Sequence, residues 1–71
     1  MNKTIGDRIR YCLDLRHMKQ RELAEKTELE EVTISRYVNN LRTPSAGSIV
    51  AICRALGVSA DWLLGMMEDE K

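Results

Sequence analysis

The chain has 71 residues, 44% hydrophobic and 31% charged, and its 11 Lys and Arg are balanced by 11 Asp and Glu, for a formal charge of zero. That length holds one small domain and excludes a large enzymatic core. Two Tyr, one Trp, four Gly and one Pro fit a helical protein better than disorder or collagen, and neutrality argues at first against a nucleic-acid binder, which is usually basic.

Ile5, Ile9, Cys12, Leu13 and Arg16 fall at i, i+4, i+7, i+8 and i+11, the spacing of one helical face. Thr4 followed by Asp7 gives a capping-box-like start, so a first helix is expected over about 5–16, stopping near His17. Three further helix starts come from one device, an apolar residue before the N-cap paired with one at the fourth helical position. Met18 pairs with Leu23 around Lys19, Leu29 with Ile34 around Glu30, and Val58 with Leu63 around Ser59. Ser45 is a favoured N-cap after Pro44, and Ile49, Ile52, Cys53 and Leu56 repeat at helical spacing behind it. Gly57 and Gly65 suit the left-handed residue that closes a helix, and Asn40 suits it too. The spacing therefore predicts five helices, at about 5–16, 20–27, 31–39, 46–56 and 60–65, and no strand. The domain is expected over 1–66, with a frayed acidic tail at 67–71.

The second and third helices are each about two turns long and joined by a three-residue turn, the signature of a helix-turn-helix. Helices of eight residues are unstable alone, so Leu23, Ala24, Leu29, Ile34 and Tyr37 must pack under helices one and four. The third helix then presents Glu31, Val32, Ser35, Arg36 and Asn39 to solvent, which suits insertion into a major groove.

These residues resemble the Cro/C1-type helix-turn-helix family of lambdoid phage repressors and small bacterial regulators. The resemblance is carried by Gln20-Arg21-Glu22-Leu23-Ala24-Glu25-Lys26-Thr27, by Val32-Thr33-Ile34-Ser35-Arg36-Tyr37, by Arg42-Thr43-Pro44-Ser45, and by Ala55-Leu56-Gly57-Val58-Ser59-Ala60-Asp61-Trp62-Leu63-Leu64-Gly65. It implies an all-α, five-helix domain of lambda-repressor-like type. It also implies that Gln20 holds a phosphate and that Glu31, Val32 and Arg36 read bases. Arg36 can pair with guanine O6 and N7, Glu31 can accept from cytosine N4, and Val32 can touch a thymine methyl. Lys19, Arg21, Thr33, Ser35, Asn39 and Arg42 are placed for phosphate or secondary contacts, which position rather than specify.

Departures from the family pattern are informative. His17, Glu28 and Asn40 stand where members usually have glycine, and Glu28 should cost about 1 kcal/mol in a left-handed turn. Lys19 and Glu30 replace the usual Ser or Thr caps, at a loss of about 1 kcal/mol each. A buried Arg and Glu pair that joins helices one and three in many members is replaced by Leu13 and Val38. Because a full swap to packed hydrophobes is tolerated where half a pair is not, these two side chains are expected to touch.

Trp62, Leu63, Leu64, Met66 and Met67 exceed what one short helix can bury. Leu64, Met66 and Met67 are therefore read as a homodimer surface, as the family's fifth-helix region often is. Tyr11 and Leu15 form a second off-face pair without an assigned role. The longest apolar stretches, 49–53 and 62–67, are too short for a membrane span, no secretory leader is recognisable, and a cytoplasmic location is expected. Cys12 and Cys53 each lie in an apolar helical stripe and read as buried thiols. His17 is a lone imidazole without a partner cluster, so neither an enzyme, a metal site, a cofactor nor a small-molecule ligand is expected.

The expectation is a sequence-specific DNA-binding regulator of repressor type, a dimer on a pseudo-palindromic operator with the third helix in the major groove. The rival is a protein-interaction module on the same fold, antitoxin-like or regulator-binding, with weak or no DNA binding. Neutrality hides a polarity: residues 1–43 carry nine Lys and Arg against seven acids, and residues 44–71 carry two against four. This division points to a more basic DNA-facing part and weak non-specific affinity.

Overall fold

The computed structural model describes residues 4–67, which form five helices and no strand: α1 (Ile5–Leu15), α2 (Gln20–Thr27), α3 (Glu31–Val38), α4 (Ala46–Leu56) and α5 (Ala60–Leu63). All five expected helices are present. Those at 5–16, 31–39 and 60–65 end one or two residues early, because their last expected residues belong to the closing turn. The acidic residues 68–71 of the expected tail lie outside the described residues. No helix among the described residues is long and apolar enough to cross a membrane.

The helix starts follow the paired apolar residues. Leu23, Ile34 and Leu63, each at the fourth helical position, are fully buried, and Met18, Leu29 and Val58 before the caps pack partly buried against the same core. Thr4, Ser45 and Ser59 cap α1, α4 and α5 through side-chain oxygens that accept from Asp7 N, Ser48 N and Trp62 N. Lys19 has no side-chain oxygen to offer. Its own N–H instead donates to Glu22 Oε1 at 2.9 Å, half of a capping box, which offsets part of the loss expected there. Glu30 makes no side-chain cap.

All five helices end in one way. The residue at C′ is left-handed, and the next N–H reaches back five residues: Met18 to Leu13 O, Leu29 to Ala24 O, Leu41 to Arg36 O, Val58 to Cys53 O and Met66 to Asp61 O, at 2.8 to 3.1 Å. The left-handed residues are His17, Glu28 and Asn40, with φ of 54°, 61° and 61°, besides Gly57 and Gly65. The turn geometry is thus kept at three places where the expected glycine is absent.

One core unites the helices, built from Ile9, Cys12 and Leu13 of α1, Leu23 and Ala24 of α2, Ile34, Tyr37 and Val38 of α3, four α4 residues, and Trp62 and Leu63. Leu13 and Val38 both lie in it, 5% and 2% exposed, with an apolar pair where an ion pair would otherwise have to be desolvated. Cys12 and Cys53 are buried thiols. Burial, and the neighbouring Cys12, push the Cys53 thiol pKa up.

Candidate nucleic-acid interface

The third helix is gripped on its inner side and open on its outer side. Ile34, Tyr37 and Val38 are buried, and the Tyr37 hydroxyl donates to Ser48 Oγ at 3.1 Å, tying α3 to α4. Ser48 is itself fixed by Ser45, the cap of α4. At the other end, the Thr27 hydroxyl bonds back to Leu23 O and Ala24 O, closing α2 under the turn that leads into α3.

The outward residues fall where the sequence places them. Glu31, Val32, Arg36 and Asn39 are exposed, and Thr33 and Ser35 are half-buried along the same side. Val32 is 50% exposed, although an apolar side chain at that position gains nothing from water. At the start of α2, Lys19 and Arg21 are exposed and Gln20 is half-buried, and Arg42 is exposed in the loop after α3. Eight residues of α-helix span about 12 Å, close to the roughly 12 Å width of a B-DNA major groove. A rod of that length, supported from behind and polar in front, can enter the groove side-on.

Two residues that hold this helix were not singled out from the sequence. Arg10 of α1 donates through Nη2 to Val38 O at 3.1 Å and to Asn39 Oδ1 at 3.1 Å, so a cation sits on the carbonyl end of α3, where the helix dipole favours it. Gly6 lies against the backbone where α3 ends. A Cβ there would collide with Tyr37 O and come within 2.6 Å of Asn40 Oδ1 and 2.9 Å of Val38 O. A glycine in the first turn of a periodic helix is the only local signal of this approach. Arg10 gives none, since its partners lie 28 and 29 residues away. Asn40 also donates to Asp7 Oδ1, at 3.4 Å, so α1 and the end of α3 meet at three points.

Asn39 is engaged within the protein at both ends of its amide. Its Oδ1 accepts from Arg10, and its Nδ2 donates to Ser35 O at 2.9 Å and Ser35 Oγ at 3.3 Å.

On the side of α5, Leu64, Met66 and Met67 are 46%, 75% and 45% exposed, and Tyr11 and Leu15 of α1 are 46% and 60% exposed. Tyr11 stacks at a tilt on Trp62, ring centroids 6.2 Å apart, and the Arg8 guanidinium lies 5.1 Å from the Trp62 ring centre. The off-face Tyr11 is therefore a neighbour of α5. Among the described residues no cluster of His, Cys, Asp or Glu could hold a metal.

Comparison with known proteins agrees with this geometry. The chain is 34% identical to the HTH-type transcriptional regulator DicA of Escherichia coli K12, over 99% of its own length but 52% of DicA, so it spans about half of that relative. The structure resembles the P22 c2 repressor in complex with a synthetic operator, with TM-score 0.84 and 27% identity, covering 89% of this chain and 96% of that one. It also resembles SinR of Bacillus subtilis, the master regulator for biofilm formation, in complex with DNA, with TM-score 0.80 and 30% identity over 84% and 97% of the two chains. The helix-turn-helix family matches residues 9–63, which is most of the sequence. The chain belongs to the Cro/C1-type helix-turn-helix family of DNA-binding transcription regulators.

Proposed function

We propose that this protein is a sequence-specific repressor that binds a pseudo-palindromic operator as a homodimer, with α3 in the major groove of each half-site. The observation that carries the reading is α3 itself, a two-turn helix fixed by a buried inner side and by α1 at its end, with Glu31, Val32 and Arg36 exposed together. Those three residues are the base readers. Arg36 serves guanine, Glu31 a cytosine amino group and Val32 a thymine methyl. Lys19, Gln20, Arg21, Thr33, Ser35 and Arg42 set the helix on the phosphates, and the dipole at the N-terminus of α2 favours an anion near Gln20. Relatives bound to DNA or to an operator support this assignment.

The apolar residues Leu64, Met66 and Met67, with Tyr11 beside Trp62, form the dimer contact. A two-fold dimer would place the two recognition helices one DNA turn apart, about 34 Å. The chain acts in the cytoplasm, where its DNA is.

Selection of duplexes from a random pool, followed by titration over salt, tests the proposal. A symmetric motif should be enriched, and log affinity should fall linearly with log salt as phosphates are neutralised. Failure to enrich any motif at moderate salt would leave the rival reading, a protein-interaction module on this fold.

A further inference from the structure

Arg10, Asn39 and Ser35 form a chain of hydrogen bonds from α1 to the outward side of α3, and its polarity is set by chemistry. A guanidinium only donates, so the atom of Asn39 that faces Arg10 must be the carbonyl oxygen. The amide NH2 then faces Ser35, donating to Ser35 O at 2.9 Å and at a longer 3.3 Å to Ser35 Oγ. Ser35 Oγ, having accepted from Asn39, keeps its own proton for an acceptor outside the protein.

We infer that Arg10 and Asn39 are positioning residues for DNA binding, which act by aligning the Ser35 hydroxyl as a donor to a backbone phosphate oxygen. The inference rests on the proposed DNA reading and corrects its distribution of roles. Asn39, exposed on the recognition helix, orients a neighbour rather than touching DNA. Arg10, a cation near the DNA-facing side, neutralises the carbonyl end of α3 rather than a phosphate. Were Arg10 removed, Asn39 Oδ1 would lose its donor and only the bond to Ser35 O would hold the amide, so Ser35 Oγ would be less firmly aligned. Arg10 also holds Val38 O, so the same contact fixes the last turn of α3 against α1.

The test compares Ser35→Ala, Asn39→Ala, Arg10→Met and the pairwise double variants on the selected duplex, by anisotropy titration at several salt concentrations. Each single substitution should weaken binding about tenfold, the loss of one hydrogen bond to a charged acceptor. In the Ser35→Ala background Asn39→Ala should add little, and Arg10→Met should cost less than it does alone, since only its hold on Val38 O remains to be lost. Base preference should not change in Ser35→Ala or Asn39→Ala, and Arg10→Met should leave the salt slope as it was. Direct contacts behave otherwise: losses for Asn39→Ala and Ser35→Ala would multiply to about a hundredfold, and loss of an Arg10 phosphate contact would lower the salt slope by about 0.9. Either result overturns the inference. The free protein gives a separate measurement. The Asn39 side-chain amide resonances should move in Arg10→Met, and unchanged resonances would refute the relay whatever the DNA result. If no duplex is selected, the DNA reading fails and the phosphate role of Ser35 fails with it, while the resonances still decide whether Arg10 sets the Asn39 amide.

Discussion

Gly6 and Gly47 occupy the same place in two helices of equal length, the second position of α1 and of α4. Their surroundings are opposite. A methyl group at Gly6 would run into two backbone carbonyls and the Asn40 side chain, whereas one at Gly47 would meet nothing within 4 Å. Alanine at an open helical site gains about 0.5 to 1 kcal/mol over glycine. Gly47→Ala should therefore stabilise by that amount. At Gly6 the same gain is set against overpacking, about 1 to 3 kcal/mol and at the upper end here, because a carbonyl of a capped helix cannot rotate away like a side chain. The net expectation for Gly6→Ala is a loss of about 1 to 2 kcal/mol, and each kcal/mol moves the melting temperature of a domain this small by roughly 4 to 8 °C. Thermal melts followed by far-UV circular dichroism, with urea titrations to show an unchanged m-value, read both variants. Opposite signs are required. A Gly6→Ala protein as stable as the parent would mean that α1 and the end of α3 do not approach as described. Because that approach fixes the recognition helix, DNA affinity should fall with Gly6→Ala and not with Gly47→Ala.

Glu28→Gly should raise stability by about 1 kcal/mol, since Glu28 is exposed with φ of 61° and glycine carries no left-handed penalty; a lower melting temperature would show that the carboxylate has a structural role. Arg36→Ala should erase preference at one base position in a duplex selection, costing about 1 to 3 kcal/mol on the best site. Arg42→Ala should weaken all sequences alike and reduce the salt slope by about 0.9. The raised pKa of Cys53 predicts a loss at high pH. The unfolded thiol releases its proton first, so stability present below about pH 8.5 declines above it until the folded thiol titrates as well. Equilibrium unfolding from pH 7 to 10 should show a smaller decline in Cys53→Ala than in the parent, and equal slopes would contradict the assignment.

Much of the fold is legible locally. The pairs Met18 with Leu23, Leu29 with Ile34 and Val58 with Leu63 mark three helix starts without reference to anything distant, and Gly57 and Gly65 mark two ends. Local reasoning also finds Glu28 and His17 at turns, because the helix periodicity stops there, even though neither residue favours the geometry. What it misses is of one kind. Lys19 by itself offers α2 no cap, but the carboxylate of Glu22 supplies an acceptor from within the helix. Arg10 and Gly6 act across nearly half the sequence, on backbone atoms of Tyr37 and Val38 whose positions depend on the whole fold. Backbone partners leave no residue-type signature, so neither contact could be anticipated by pairing side chains. The outward residues of α3, in contrast, are defined by exclusion: once Ile34, Tyr37 and Val38 are assigned inward, the helical period places Glu31, Val32, Ser35 and Arg36 outward.

The zero net charge bears on how selectivity can arise on such a surface. Lys19, Arg21, Arg36 and Arg42 are exposed around the helix-turn-helix, and Glu28, Glu30 and Glu31 are exposed among them. Non-specific affinity rises with the number of phosphates that cations neutralise and is opposed by each carboxylate brought near the duplex. A carboxylate in the first turn of α3 costs little in the free protein, because the helix dipole favours it there. On DNA it is unfavourable unless a donor such as the cytosine amino group meets it. The same glutamate thus weakens every wrong site and only some right ones, which increases the ratio between them. On this argument neutrality is compatible with DNA binding and selects for a particular form of it, in which α3 must be held rigidly enough for a misplaced base to leave Glu31 without a partner. The contacts from Arg10 and Gly6 to the end of α3, and from Tyr37 to Ser48 behind it, supply that rigidity.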